Sequence, residues 1–222
     1  MSKNVAISTF EETKIEDGFF VLTYQNEDEH IKTIERDIDN SFIQFHFCNK
    51  GNSAFQFNNG NYTLNINEQT SLLLYNPQRS LPIHLDINPN SSLVTVLISI
   101  KQFHGLFSDE ANYISFLSDD NKDRKYYKDG KITPSLSIVL NQLINYNLNQ
   151  SIKSLYFKGK AYELLSLYFN RSEDANIEQC PFLVDETNVL KIRKAKDIII
   201  SRMSEPPSLQ ELSDEIELSL KK

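Results

Sequence analysis

The chain has 222 residues, 40% of them hydrophobic and 24% charged, and a formal net charge of −7. That composition describes a globular chain with enough length for one large core or for one and a half small ones. No apolar run approaches the roughly 18 residues of a membrane span, and the opening MSKNVAISTFEETK lacks the charged-then-apolar pattern of a secretory signal, so the cytoplasm is the expected compartment. The charge is uneven: residues 1–186 carry −8 and residues 187–222 carry +1. An acidic body repels nucleic acid, so any DNA contact is expected only at the C-terminal end. Two cysteines, Cys48 and Cys180, form neither a CxxC pair nor a disulfide framework and read as reduced thiols.

In chain order, the first hundred residues read as short strands separated by turn residues. Residues 19–24 (FFVLTY) are rich in β-formers. In Phe42–Cys48, Ile43, Phe45 and Phe47 alternate with Gln44 and His46, the pattern of a half-buried strand. Residues 54–57 alternate again, Asn58-Asn59-Gly60 tolerates the positive φ of a tight hairpin, and Tyr62, Leu64 and Ile66 return on one face. Further strands are expected at 71–75, 83–87 and 93–100, separated by Asn76-Pro77 and Asn88-Pro89-Asn90. Seven or eight short strands with no helix between them imply an antiparallel sandwich or barrel.

After residue 101 the period changes. Residues 102–107 and 111–117 read as short helices and 118–131 as a charged loop. Thr133-Pro134 is a helix start, with Thr as N-cap and Pro at the first helical position. Leu136, Val139 (or Leu140), Leu143 and Ile144 then keep helical spacing. A following helix carries two apolar stripes: Ile152, Leu155, Gly159, Tyr162, Ser166 and Phe169, and Phe157, Ala161, Leu164, Leu165 and Tyr168. It is covered from two sides, either by its own domain and a second subunit or within one larger core. Residues 171–186 read as a polar connector, and a helix with Lys191, Arg193, Lys194 and Lys196 is expected from about 188 to 203, ended by Pro206-Pro207. Ser208-Leu209-Gln210-Glu211 is a capping box. Leu209, Leu212 and Ile216 stripe a short helix, and Ser219 has the character of a further N-cap.

This ending is how a helix-turn-helix begins; its bland counterpart is an ordinary helical hairpin. Residues 192–203 resemble the first helix of the AraC/XylS DNA-binding domain, residues 207–213 (PSLQELS) resemble its segment of a serine, two leucine positions and a small residue, and residues 216–219 (IELS) sit where the turn and the cap of its recognition helix belong. Two positions depart from that pattern: Ser213 stands where alanine is usual, and Glu217 where glycine or asparagine is common. The resemblance places the recognition helix and a second helix-turn-helix after Lys222, so the chain is expected to sense and dimerise rather than to read base edges. Residues 156–167 (YFKGKAYELLSL) and 182–185 (FLVD) resemble the PchR-like, siderophore-responsive branch. The implied fold is α+β: a cupin-like antiparallel sensor barrel (1–105), a helical dimerisation and linker region (106–186), and the start of the DNA-binding domain (187–222). The implied function is ligand-responsive transcription regulation of iron uptake. Its partners would be a small-molecule effector such as a ferric siderophore, promoter DNA in the full-length protein, and a second copy of the chain.

The competing class is a cupin-type enzyme or binding protein with no DNA role. Cupin metal sites use closely spaced histidines with a glutamate, whereas His30, His46, His84 and His104 are scattered; no Gly-x-Ser-x-Gly or phosphate loop is present. No catalytic residue, metal or cofactor is therefore expected. In the barrel, Phe45, Phe47, Phe55, Phe57, Tyr62 and Tyr75 would either fill the interior or line a cavity. Phe45, Phe47, Phe57 and Tyr75, with Arg79 for an anionic group at the mouth, are the candidate ligand residues. Arg193, Lys194, Ser208, Glu211 and Ser219 are the candidate residues of the DNA-binding start.

Overall fold

The computed structural model describes residues 8–58, 60–107, 125–170, 194–195, 198, 202 and 207–216. The chain divides into two compact units, Met1–Cys180 and Pro181–Lys222.

The first unit is built on ten strands: β1 (Thr9–Glu16), β2 (Phe19–Asn26), β3 (Lys32–Arg36), β4 (Phe42–Lys50), β5 (Asn52–Phe57), β6 (Tyr62–Asn67), β7 (Thr70–Tyr75), β8 (Ile83–Ile87), β9 (Ser91–Ser99) and β10 (Tyr126–Lys131). They form a six-stranded sheet in the order β1-β2-β9-β4-β7-β10 and a four-stranded sheet in the order β3-β8-β5-β6. Every ladder is antiparallel. The cupin-like α+β arrangement is thus present as two facing sheets rather than as one closed barrel. Asn58 (φ 50°) and Gly60 (φ 82°) carry the β5–β6 turn expected from Asn-Asn-Gly. At Gly18 (φ 71°), a Cβ would lie 2.5 Å from the Ser99 hydroxyl, so this turn requires glycine.

Three helices cover one face of the six-stranded sheet: α1 (Ile100–Leu106), α2 (Pro134–Ile144) and α3 (Gln150–Phe169). Thr133 caps α2 with Pro134 behind it, as its sequence predicts, and Ser99 and Asn149 cap α1 and α3. Phe157, Ala161, Leu164, Leu165 and Tyr168 of α3 join Leu136, Val139, Leu140 and Leu143 of α2 in one core with the sheet. The other stripe of α3 stays largely outside: Ile152 is 48% and Leu155 73% exposed.

Three expectations change. Strand β4 is buried on both faces, because helices cover Phe45 and Phe47 while the second sheet covers Gln44 and His46. Part of the expected 118–131 loop is strand β10, an edge strand paired with β7 despite its Lys-Asp-Gly. Strands β1 and β3 carry too many charges to show an apolar period. The expected helix at 111–117 lies outside the described residues, as does most of the one at 188–203.

In the second unit, α4 (Leu209–Ile216) follows its capping box: the Ser208 amide donates to Glu211 Oε2 at 2.8 Å and the Glu211 amide to Ser208 Oγ at 3.3 Å. No helix among the described residues is long and apolar enough to cross a membrane.

Candidate functional site

The structure does not gather the five expected ligand residues. Phe45, Phe47 and Tyr75 belong to the core beneath the helices. Phe45 meets Phe103, Tyr168 and Phe169 at centroid distances of 5.3–6.1 Å, and Phe47 meets Tyr168. They therefore point away from the space between the sheets. The cause is strand parity: the odd positions of β4 face the helices, and the even ones face the other sheet. Phe57 is half-buried on the smaller sheet and stacks on Phe55, while Arg79 is exposed on the β7–β8 connection. In the second unit, Lys194 donates to the Glu215 carbonyl at 2.9 Å. Arg193 and Ser219 lie outside the described residues.

The polar interior lies between the sheets. His46 is fully buried, with Nδ1 2.8 Å from Thr95 Oγ1 and Nε2 3.2 Å from Gln44 Oε1. Gln44 Nε2 donates to the Leu81 carbonyl at 2.6 Å, so its Oε1 is an acceptor and His46 Nε2 must carry the proton. Nδ1 then accepts from the Thr95 hydroxyl. Burial pushes the His46 pKa down to about 3, which keeps the ring neutral and this direction of donation fixed. The Phe55 ring closes over the imidazole at 4.4 Å. Both ring nitrogens are thus engaged, and the imidazole ties Gln44 on β4 to Thr95 on β9.

Tyr24 stands beside that chain. Its hydroxyl faces Thr95 yet makes no hydrogen bond among the described residues. Burial raises its pKa. Phe10 stacks on its ring at 5.2 Å. Two residues along β1, Glu12 accepts from Arg36 Nη2 at 2.8 Å, and the guanidinium also lies 5.1 Å over Phe20. Arg36 Nη1 is buried with no partner among the described residues.

The opposite face of β1 grips the helices. Glu11 accepts from Tyr146 (2.8 Å) and pairs with Lys153. Burial pushes the Glu11 pKa up, but the Lys153 and Tyr146 hydrogen bonds and the Lys153 charge outweigh it and hold it lowered. Glu16 pairs with Lys158 at 2.5 Å and accepts from Tyr162 at 2.8 Å; these two bonds lower its pKa. Strand β1 is thus one edge element touching the inter-sheet interior with even positions and the helices with Glu11 and Glu16.

A separate cleft of about 370 Å³ opens where β2, β4 and β9 meet the end of α2, lined by residues including Asn26, Asn49, Lys50, Ser92 and Asn145. Its amides are largely committed to structure: Asn26 Nδ2 donates to the Ile87 and His30 carbonyls and Asn49 Nδ2 to Asn141.

Sequence reasoning missed Tyr24, Arg36, Gln44, His46 and Thr95 as one group. One signal was present: Thr95 is the polar interruption of Leu93–Ile98, an otherwise apolar run of the kind buried on both faces.

The family profile described as the regulatory protein PchR N-terminal domain matches residues 7–179. The chain is structurally similar to ToxT from Vibrio cholerae, with 14% identity over 91% of this chain and 72% of that one, at a TM-score of 0.35. Wild-type ToxT with a bound unsaturated fatty acid is similar at 13% identity, over 90% and 69% of the two chains and a TM-score of 0.35. An RmlC-like cupin with a double-stranded β-helix fold from Methanocaldococcus jannaschii is 11% identical over 47% of this chain and 92% of that one, with a TM-score of 0.33. No curated protein sequence matches the chain significantly.

Proposed function

The chain belongs to the PchR N-terminal domain family, a regulator's sensor domain rather than an enzyme, and from that premise we propose that it governs iron-uptake genes by sensing a ferric siderophore or a related small molecule. The observation that carries this reading is the family match over residues 7–179, which spans both sheets and helices α1–α3. In this reading residues 1–105 sense, 106–186 relay and dimerise, and 187–222 open an AraC-type DNA-binding domain acting on promoter DNA in the cytoplasm. The capping box at Ser208 and Glu211 supports the last assignment. The exposed Ile152 and Leu155 support a second copy of the chain as the partner of α3.

The effector works by population shift: it favours whichever arrangement of the linker helices it binds more tightly. Deleting the gene and measuring transcripts under iron limitation, with and without ferric siderophore, tests the reading. Iron-uptake transcripts should lose their siderophore response. An unchanged response removes the siderophore assignment, and failure of the full-length protein to bind any promoter DNA removes the regulator's DNA role.

A further inference from the structure

We propose that Arg36 and Tyr24 form a carboxylate-binding site between the sheets, which β1 closes with its own Glu12 and Phe10. The proposal rests on the sensor reading and names the chemistry of what is sensed. Four buried side-chain polar atoms lack a partner among the described residues, and two of them, Tyr24 OH and Arg36 Nη1, lie on the inter-sheet side of β1, where the Arg36 and Glu12 charges both act on Tyr24. Buried polar groups are ordinarily satisfied, so such a pair marks a place where another partner would be favoured. Tyr24 OH and Arg36 Nη1 are both donors, and Tyr24 is fully buried. The complementary ligand group is therefore an acceptor, and beside a guanidinium it is an anionic planar one that can be held bidentately.

Glu12 occupies half of that role. Its carboxylate takes Arg36 Nη2 alone. A free carboxylate exchanging with Glu12 would take both guanidinium nitrogens and the Tyr24 hydroxyl, satisfying two donors that Glu12 leaves without a partner. Phe10, 49% exposed and stacked on Tyr24, is the lid on this position, and Phe20 beneath Arg36 offers a flat apolar wall for the body of the ligand. The exchange also has a route outward. Releasing Phe10 and Glu12 loosens β1, whose Glu11 and Glu16 hold Tyr146, Lys153, Lys158 and Tyr162 of the α2–α3 region.

Isothermal titration of the 222-residue chain with benzoate and octanoate, against benzamide and octanol, tests the site. The acids should bind saturably, and the neutral analogues at least about tenfold more weakly, because charge-assisted hydrogen bonds are lost. Arg36→Met and Tyr24→Phe should each weaken acid binding, Arg36→Met by about tenfold or more. Glu12→Gln should tighten it by removing the internal competitor, an effect opposite in sign to any loss of folding. Acids that bind no better than their neutral analogues, or binding indifferent to Arg36→Met and Glu12→Gln, overturn the proposal. Acid binding with this pattern in a protein whose deletion leaves iron-uptake transcripts unchanged keeps the site and removes the siderophore reading. A siderophore-dependent transcript response with binding indifferent to Arg36 does the reverse.

Discussion

The two faces of the six-stranded sheet are buried alike and made differently. Toward the helices, Phe45, Phe47, Leu73, Val94 and Val96 meet an apolar and aromatic layer. Toward the second sheet, Gln44, His46 and Thr95 form a directed hydrogen-bond chain among Leu22, Leu74, Leu97 and Phe55. The first face draws its stability from area and contact, which tolerate small shifts. The second depends on each donor meeting its acceptor, so it fixes one arrangement and loses much when a single partner goes. The apolar layer and the polar layer are thus separated by the thickness of one strand.

The strongest way to break this comparison is Phe45→Ala. It should cost about 3–5 kcal/mol in urea unfolding, as for other large aromatic truncations in cores, and a loss under about 1 kcal/mol would show that the helix face does not carry the fold. On the other face, Thr95→Val keeps the shape and leaves His46 Nδ1 without its donor, which should cost about 1–3 kcal/mol. The double variant Thr95→Val/His46→Leu should recover part of that loss, and simple additivity would dissolve the proposed chain.

A pH titration sharpens the difference. His46 has its pKa lowered to about 3 in the folded state against the ordinary 6.5, so the unfolded chain binds the extra proton as pH falls below 6.5. Stability from this residue is complete above pH 6.5 and declines by about 1.4 kcal/mol per pH unit as pH falls toward 3. Between pH 6.5 and 5 the decline should flatten in His46→Leu; an identical slope in both proteins would mean that other groups carry it. The smallest effect is expected at the partly exposed clamp. Glu11→Gln should cost only about 0.5 kcal/mol, and less in high salt, because solvent screens the Lys153 pair.

Most of the sheet was legible because β2 and β4–β9 keep either alternation or unbroken apolar runs. The missed strands had other sources of stability. Strand β1 is fixed by the Glu11 and Glu16 contacts to Lys and Tyr side chains, which come from far along the chain and leave no local period. The Phe45 and Phe47 assignment failed on direction. Alternation tells which residues share a face, but choosing that face requires knowing that α2 and α3 return to cover it. The same uncertainty hid His46, a polar residue on a strand that local pattern places toward water and tertiary structure places in the interior. Arg36 was invisible for a simpler reason: in Lys32–Arg36, nothing local marks one charge as the partner of a residue on β1.

Cys48 sits on the polar-layer side of β4, fully buried, its thiol directed at the Lys50 and Gly51 carbonyls and its pKa pushed up to about 12 by burial. A thiol so placed is chemically silent while the sheets stay together, since the thiolate is the reactive form. In a Cys180→Ser background, its rate of alkylation therefore becomes a clock for separation of the two sheets, counting openings that leave the average structure unchanged. Any effector that seats itself in the interior and holds the sheets together will slow that clock, and one that works by prying them apart will quicken it.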